Sequence, residues 1–257
     1  MKIVVCIKQA PARDSQIRVG SSGKWIDETD LAYEVNEPDM YALEEGLQLK
    51  ERHGGEVVAL CLGPARVAQT IREALAKGAD RAIHVEVEES GAFDPLHAAR
   101  LLAAALRPES PDLVLAGLQS DDLGYGQTGV ILAELLGIPH ATIIMQVEKL
   151  DGAIRVKREL EDGWFQRVEM ALPALLTIQS GINKLRYATL MGIKKAKTKE
   201  VRRIPAADLS ASEESSSIAI EKLYLPVRAK HTQLFEGDPK EAAAQLVEKL
   251  KFEARVL

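Results

Sequence analysis

Apolar residues along the chain gather in short runs, and between the runs they recur at helical spacing, which is the pattern of strands alternating with helices. Runs at residues 3–7, 57–62, 82–87 and 113–117 predict four strands, and the second and fourth lack the polar alternation of a half-exposed strand. Between them, Asn36 reads as a helix cap with Pro38 in the first turn, Leu43 and Leu47 as an apolar pair, and Gly54 as the stop. Val67, Ile71 and Leu75 line one face of a second helix closed by Gly78, and residues 95–106 form a third. Residues 17–19 and 25–26 predict a small hairpin across Gly20 and Gly23. Strands and helices in this order predict a parallel sheet with right-handed crossovers.

After Pro139 the pattern changes. A strand at residues 141–147 is followed by two runs, 154–159 and 165–170, that alternate with period two around Asp162 and Gly163, as in an antiparallel hairpin with one wet face. Pro173 precedes a further apolar strand at 174–178. The predicted fold class is therefore α/β: a doubly wound, mostly parallel, Rossmann-like sheet with an added antiparallel hairpin. Residues 205–217 turn to Ser, Ala and Glu and read as a linker, and Asp238 caps a last helix over 239–251. That helix carries Ala243, Leu246, Val247 and Leu250 and must bury them against the domain or another chain. The expected division is a nucleotide-binding domain over 1–204 and a linker with a C-terminal arm over 205–257.

The stretch from Leu113 to Pro139 organises the rest. Its strand breaks at Gly117 into a polar, glycine-rich loop, and a helix starts near Gln127 and ends at Gly137, with residues 130–136 apolar almost all round, as in a buried helix. Strand, loop and helix amino terminus together favour an anion, because first-turn N–H groups lack partners and the helix dipole is positive there. Gly124, Gly126 and Gly129 spell G-x-G-x-x-G, yet the loop follows a late strand rather than opening the first βαβ unit, and no P-loop signature is present. Two readings stand at this point: a phosphate-binding loop, or glycines that only make turns. Ligands of such sheets sit at the carboxyl ends of the strands near the reversal of strand order, so the loops after Cys6, Leu62 and Ala116 should converge on one crevice.

Charge and composition narrow the field. A chain of 257 residues that is 46% hydrophobic can build a sizeable core, and a net charge of -5 opposes nucleic-acid binding. Neither a signal peptide nor a membrane-spanning run is apparent, so a cytoplasmic protein is expected. Cys6 and Cys61 sit inside apolar runs and read as buried thiols. Eight residues between 184 and 203 are basic against the single acid Glu200, which fits a solvated flexible loop or a docking surface for an acidic partner. His53, His84, His97, His140 and His231 show no metal spacing, and no nucleophile elbow occurs. Asp121 and Asp122 suit a helix cap or a ribose hydroxyl better than an acid-base pair. A nucleotide pocket without a nucleophile or base favours a carrier or binding subunit over a complete enzyme. Competing readings are an adenine-nucleotide-processing enzyme acting through Asp121 and Asp122, and a nicotinamide dehydrogenase.

Several segments in order resemble the β subunit of electron transfer flavoprotein: Val156-Lys157-Arg158-Glu159, Glu161-Asp162-Gly163, Pro173-Ala174-Leu175-Leu176-Thr177, Leu62-Gly63-Pro64-Ala65, Gln127-Thr128-Gly129 and Asn183-Lys184-Leu185-Arg186-Tyr187-Ala188-Thr189-Leu190. The resemblance implies an electron carrier rather than an enzyme. It implies a heterodimer whose α subunit holds most of a redox FAD, while β binds AMP, or a second FAD in electron-bifurcating members. The wording of the glycine loop resembles the AMP-binding type. Carried over, Cys6, Asn36, Leu62 and Gly63 contact the adenosine part, and Asp122, Gly126, Gln127, Thr128 and Gly129 hold ribose and phosphate. Tyr187, Leu190, Lys194, Lys195 and Lys197 form a recognition loop for acyl-CoA or other flavin dehydrogenases, with a quinone oxidoreductase as acceptor, and the last helix is an arm laid on the α subunit. The resemblance departs at Arg13 and Pro38, where several members carry aromatics near the flavin ring.

Overall fold

A computed structural model describes residues 1–88, 94–209, 218–226 and 232–257. In chain order the elements are β1 (Lys2–Ile7), β2 (Gln9–Pro11), β3 (Tyr33–Val35), α1 (Glu37–His53), β4 (Glu56–Gly63), α2 (Ala68–Lys77), β5 (Arg81–Glu86), α3 (Pro95–Leu106) and β6 (Leu113–Gly117). Then come α4 (Thr128–Leu136), β7 (His140–Lys149), β8 (Ala153–Glu159), β9 (Phe165–Ala171), β10 (Ala174–Ile178), α5 (Leu190–Ala196), β11 (Val201–Pro205) and α6 (Pro239–Lys249).

Nine strands form one sheet in the order β11-β5-β4-β1-β6-β10-β7-β8-β9, and β2 with β3 makes a separate antiparallel pair. Every pairing from β11 to β7 is parallel, and β7, β8 and β9 run antiparallel to one another, so the predicted doubly wound sheet with its hairpin is present. Alternate residues of the central strands feed two cores. Ile3, Val5, Val57, Ala59 and Leu115 pack with α1 and α2, whereas Val4, Val58, Leu60 and Val114 pack with α3 and α4. That explains the continuous apolar runs, since each strand is covered on both sides. Cys6 belongs to the second core and Cys61 to the first, so both are buried free thiols separated by the sheet itself.

Three expectations change. The strand pair at 17–19 and 25–26 shrinks to one bridge, Val19 to Ile26. Helix α4 is buried on one face only, through Gly129, Leu132 and Ala133, because the sheet and α3 cover a single side of it. The basic tract is ordered structure rather than loose loop. It contains α5 and the edge strand β11, and Arg186, Lys199 and Arg202 are spent on Glu44 and Glu51, the carbonyls of Leu75 and Ala79, and Glu109 respectively. Periodicity missed β11 because an edge strand tolerates charge on both faces.

The chain divides into a compact unit at Met1–Leu223 and a small one at Tyr224–Leu257. In the small unit the Asp238 side chain caps α6 as predicted, and α6 buries none of its residues. Residues 210–217 of the expected linker, and His231, lie outside the described residues. No helix among the described residues is long and apolar enough to cross a membrane.

Candidate functional site

Strand β1 lies between β4 and β6, so the chain reverses its direction of winding there. Strands flanking such a reversal have their following loops drawn to opposite sides, which leaves a crevice. A cavity of about 700 Å³ opens at this place, lined by Cys6 near the end of β1 and Lys8 just after it, Leu62 and Gly63 at the end of β4, and the loop after β6. All nine residues assigned to nucleotide contact, Cys6, Asn36, Leu62, Gly63, Asp122, Gly126, Gln127, Thr128 and Gly129, line it.

The three loop glycines have two separate duties. Gly124 and Gly126 stand at φ +64° and +63°, in the left-handed region that a side chain disfavours. Gly129 has ordinary backbone but no room: a Cβ there would lie 2.6 Å from Thr177 Cγ2, so the glycine lets α4 press on β10. The glycines thus serve turn geometry in the loop and close packing of the helix on the sheet. Helix α4 opens on the cavity, and no side chain caps its first turn. By contrast Asp94, Thr189 and Asp238 cap α3, α5 and α6.

Asn36 does not cap α1 with its side chain. The amide instead reaches across the crevice, where Nδ2 donates to the Gln119 carbonyl at 3.0 Å and Oδ1 accepts the Asp121 N–H at 2.9 Å. Asp121 answers by accepting the Glu37 N–H at 3.1 Å, so the loop's aspartate caps the helix and the helix's asparagine holds the loop. Both side chains serve the frame of the site.

Sequence reasoning missed three residues. Asp39, in the first turn of α1, is buried, and its two carboxylate oxygens accept the N–H of Lys8 at 2.7 Å and of Gly117 at 2.8 Å. It therefore spans the ends of β1 and β6 where they part. Burial raises its carboxyl to about 7 in spite of these donors. A Cβ on Gly117 would lie 2.4 Å from Asp39 Oδ1, so this close approach requires glycine. Lys8 is the second, with Nζ 2.5 and 2.7 Å from the two oxygens of Asp122. Burial raises the Asp122 carboxyl, but the Lys8 ammonium outweighs it and holds the group below the usual range. The third is Arg66, which stacks 4.5 Å over the Tyr33 ring and pairs with Glu28 at 3.3 Å, fastening one wall of the cavity. The position of Lys8, one residue past β1 at the predicted convergence, was the available signal. Burial also raises the Cys6 thiol to about 12, with Asp39 adding to the effect, so Cys6 offers packing rather than a thiolate.

Tyr187, Leu190, Lys194, Lys195 and Lys197 are not in the cavity; they lie on or beside α5. Tyr187 is 92% exposed and Leu190 83%. Thr189 caps this helix through the Gly192 N–H at 3.0 Å, and Gly192 sits against the Ala76 carbonyl, where a Cβ would meet the oxygen at 2.3 Å. Upstream, Arg186 grips Glu44 at 2.7 Å and Glu51 at 2.6 Å on α1. The base of the segment is therefore fixed while its apolar and basic side chains face out.

Known proteins agree with this architecture. The family model described as electron transfer flavoprotein domain matches residues 24–209. The electron transfer flavoprotein subunit beta of Methylophilus methylotrophus is 38% identical, covering 96% of this chain and 97% of its own. The proteins of that name from Bacillus subtilis and Bos taurus are 33% and 36% identical and match all of this chain. With the family model spanning most of the chain and these relatives matching 96% or more of it, this chain belongs to the electron transfer flavoprotein subunit beta family.

Proposed function

We propose that this chain is the β half of a two-subunit electron carrier that holds AMP in its crevice and leaves most of a redox FAD to an α subunit. The observation that carries the reading is the cavity at the strand reversal, where all nine expected residues meet an uncapped helix amino terminus. The residues fit an adenine mononucleotide. Gly126 lines the cavity beside the uncapped first turn of α4, which suits a phosphate, and Asp122 keeps a carboxylate for a ribose hydroxyl. Leu62, Gly63 and Cys6 supply an apolar wall for the base. The bound FAD supplies the electron-accepting chemistry, and this chain supplies the frame beside it.

Electrons arrive from a flavin dehydrogenase docked at α5, with Leu190 as the apolar anchor and Lys194, Lys195 and Lys197 steering encounter. They leave to a quinone-reductase type of acceptor. The last helix, at the end of the 205–257 linker and arm, is laid on the α subunit, consistent with the exposed apolar residues Leu246, Val247 and Phe252. A second FAD is the runner-up ligand, favoured by a cavity whose lining reaches Trp25 and Tyr33. Copurification with a flavin-bearing partner, followed by identification of the nucleotide released from β, tests the reading. AMP in equal amount with β is expected, and a lone, yellow monomer would overturn it.

A further inference from the structure

Asp122 stands in a loop arranged for an anion, where a bare carboxylate would repel a phosphate. The structure answers that conflict from the opposite wall. Lys8 bonds both oxygens of Asp122, and Asp122 Oδ1 also accepts the Leu123 N–H at 2.7 Å, which fixes the direction in which the carboxylate points.

Lys8 is itself held at its backbone, because its N–H is bound by Asp39, whose other oxygen binds Gly117 at the root of the same loop. One buried carboxylate thus hangs both the lysine and the loop at a set spacing. The other cavity cations have different partners: Arg13 pairs with Glu37 and Asp121, and Arg66 with Glu28. The Lys8 and Asp122 side chains are 37% and 23% exposed, so their charges are only partly screened by water.

We propose that Lys8 is a positioning residue of the nucleotide site: its ammonium cancels the charge of Asp122 and aims its carboxylate, so that the loop admits a phosphate and still offers a hydroxyl acceptor. This rests on the AMP reading given above. The lysine acts through Asp122 and makes no contact with the phosphate. Its loss should therefore harm an anionic ligand more than a neutral one of the same shape.

The test is equilibrium dialysis of AMP and of adenosine against the full-length chain stripped of nucleotide. Lys8→Gln should weaken AMP by about tenfold, the effect of baring one partly screened charge, and adenosine by much less. Adding Asp122→Asn to Lys8→Gln should return the ratio of AMP to adenosine affinity to near its starting value, because the uncompensated charge is gone and any weakening at the ribose hydroxyl falls on both ligands alike. A loss of AMP that Asp122→Asn leaves uncorrected would mean direct phosphate contact and overturn the proposal. Equal losses of AMP and adenosine would mean a merely structural lysine and overturn it as well. Should Lys8→Gln fail to fold, Asp122→Asn alone decides through the ratio of AMP to adenosine affinity, in which any loss at the shared ribose hydroxyl cancels: a ratio held or raised supports the proposal, and a ratio lowered about tenfold overturns it. An unmodified chain that takes up no AMP would bring down the nucleotide reading itself, and this inference with it.

Discussion

The loop at residues 117–129 and the segment at residues 186–197 are built alike, each leading into a short helix whose glycine packs closely on a neighbouring element, yet they spend their side chains in opposite ways. In the first, Asp121 and Asp122 bond inward and Asn36 and Asp39 at the start of α1 reach over to hold the loop, so the crevice is shaped before any ligand arrives. In the second, only the base is tied, through Arg186, Thr189 and Gly192, while Tyr187 and Leu190 stand in solvent. A preformed frame suits a small ligand, whose few contacts cannot repay the ordering of a loop. An anchored but outward-facing patch suits a large partner, which brings its own surface.

The comparison breaks most sharply at glycine. Gly117→Ala drives a methyl into Asp39, and a forced shift of strand end and helix is expected to cost about 3 kcal/mol, read as a lower urea midpoint, along with loss of nucleotide. A midpoint equal to that of the unmodified chain would show that the crevice is not the tight frame described. Asn36→Ala should cost about 2 kcal/mol, since it strips partners from a carbonyl and an N–H at a buried site. Denaturation with and without AMP measures it, and a neutral result would say that water replaces the amide.

Next comes the pH response of Asp39. Its carboxyl titrates near 7 in the fold against 3.8 normally, so the fold keeps a proton that the unfolded chain has released between those values. Stability from this group is therefore greatest at low pH, falls as pH rises through the window, and is level above about 7. The stability difference between the unmodified chain and Asp39→Asn should shrink across that window by at most about 1.4 kcal/mol per pH unit. A difference independent of pH would reject the raised value. Smallest in stability is Leu190→Ala, expected within about 0.5 kcal/mol because the side chain is exposed. Reduction by the partner dehydrogenase should slow all the same, and an unaltered rate in stopped-flow would remove the anchor.

Much of the scaffold could be read from local pattern. Helix α3 and strand β10 coincide with their predicted bounds because Pro95 and Pro173 mark one end of each and a change of periodicity the other. The convergence of three loops on one crevice followed from topology, and the nine residues carried over from the resemblance line that crevice. What escaped was pairing between distant segments. Asn36 has the signature of a cap, and nothing nearby says that its partners are Gln119 and Asp121. Lys8 and Asp122 are likewise neighbours only once β1 and β6 lie side by side. Strand β11 was hidden for a different reason, since Arg202 and Arg203 mask a two-sided edge.

Helix α1 touches both regions. Its first turn holds Asn36 and Asp39 to the crevice, and further along Glu44 and Glu51 grip Arg186 at the root of the exposed segment. Seventeen residues of α-helix make a rod of roughly 25 Å, too stiff to tilt at one end alone. A genetic screen for clones that fail to retain nucleotide will therefore also collect changes at Glu44 and Arg186, and a sorter who files hits by distance from the ligand will misplace them.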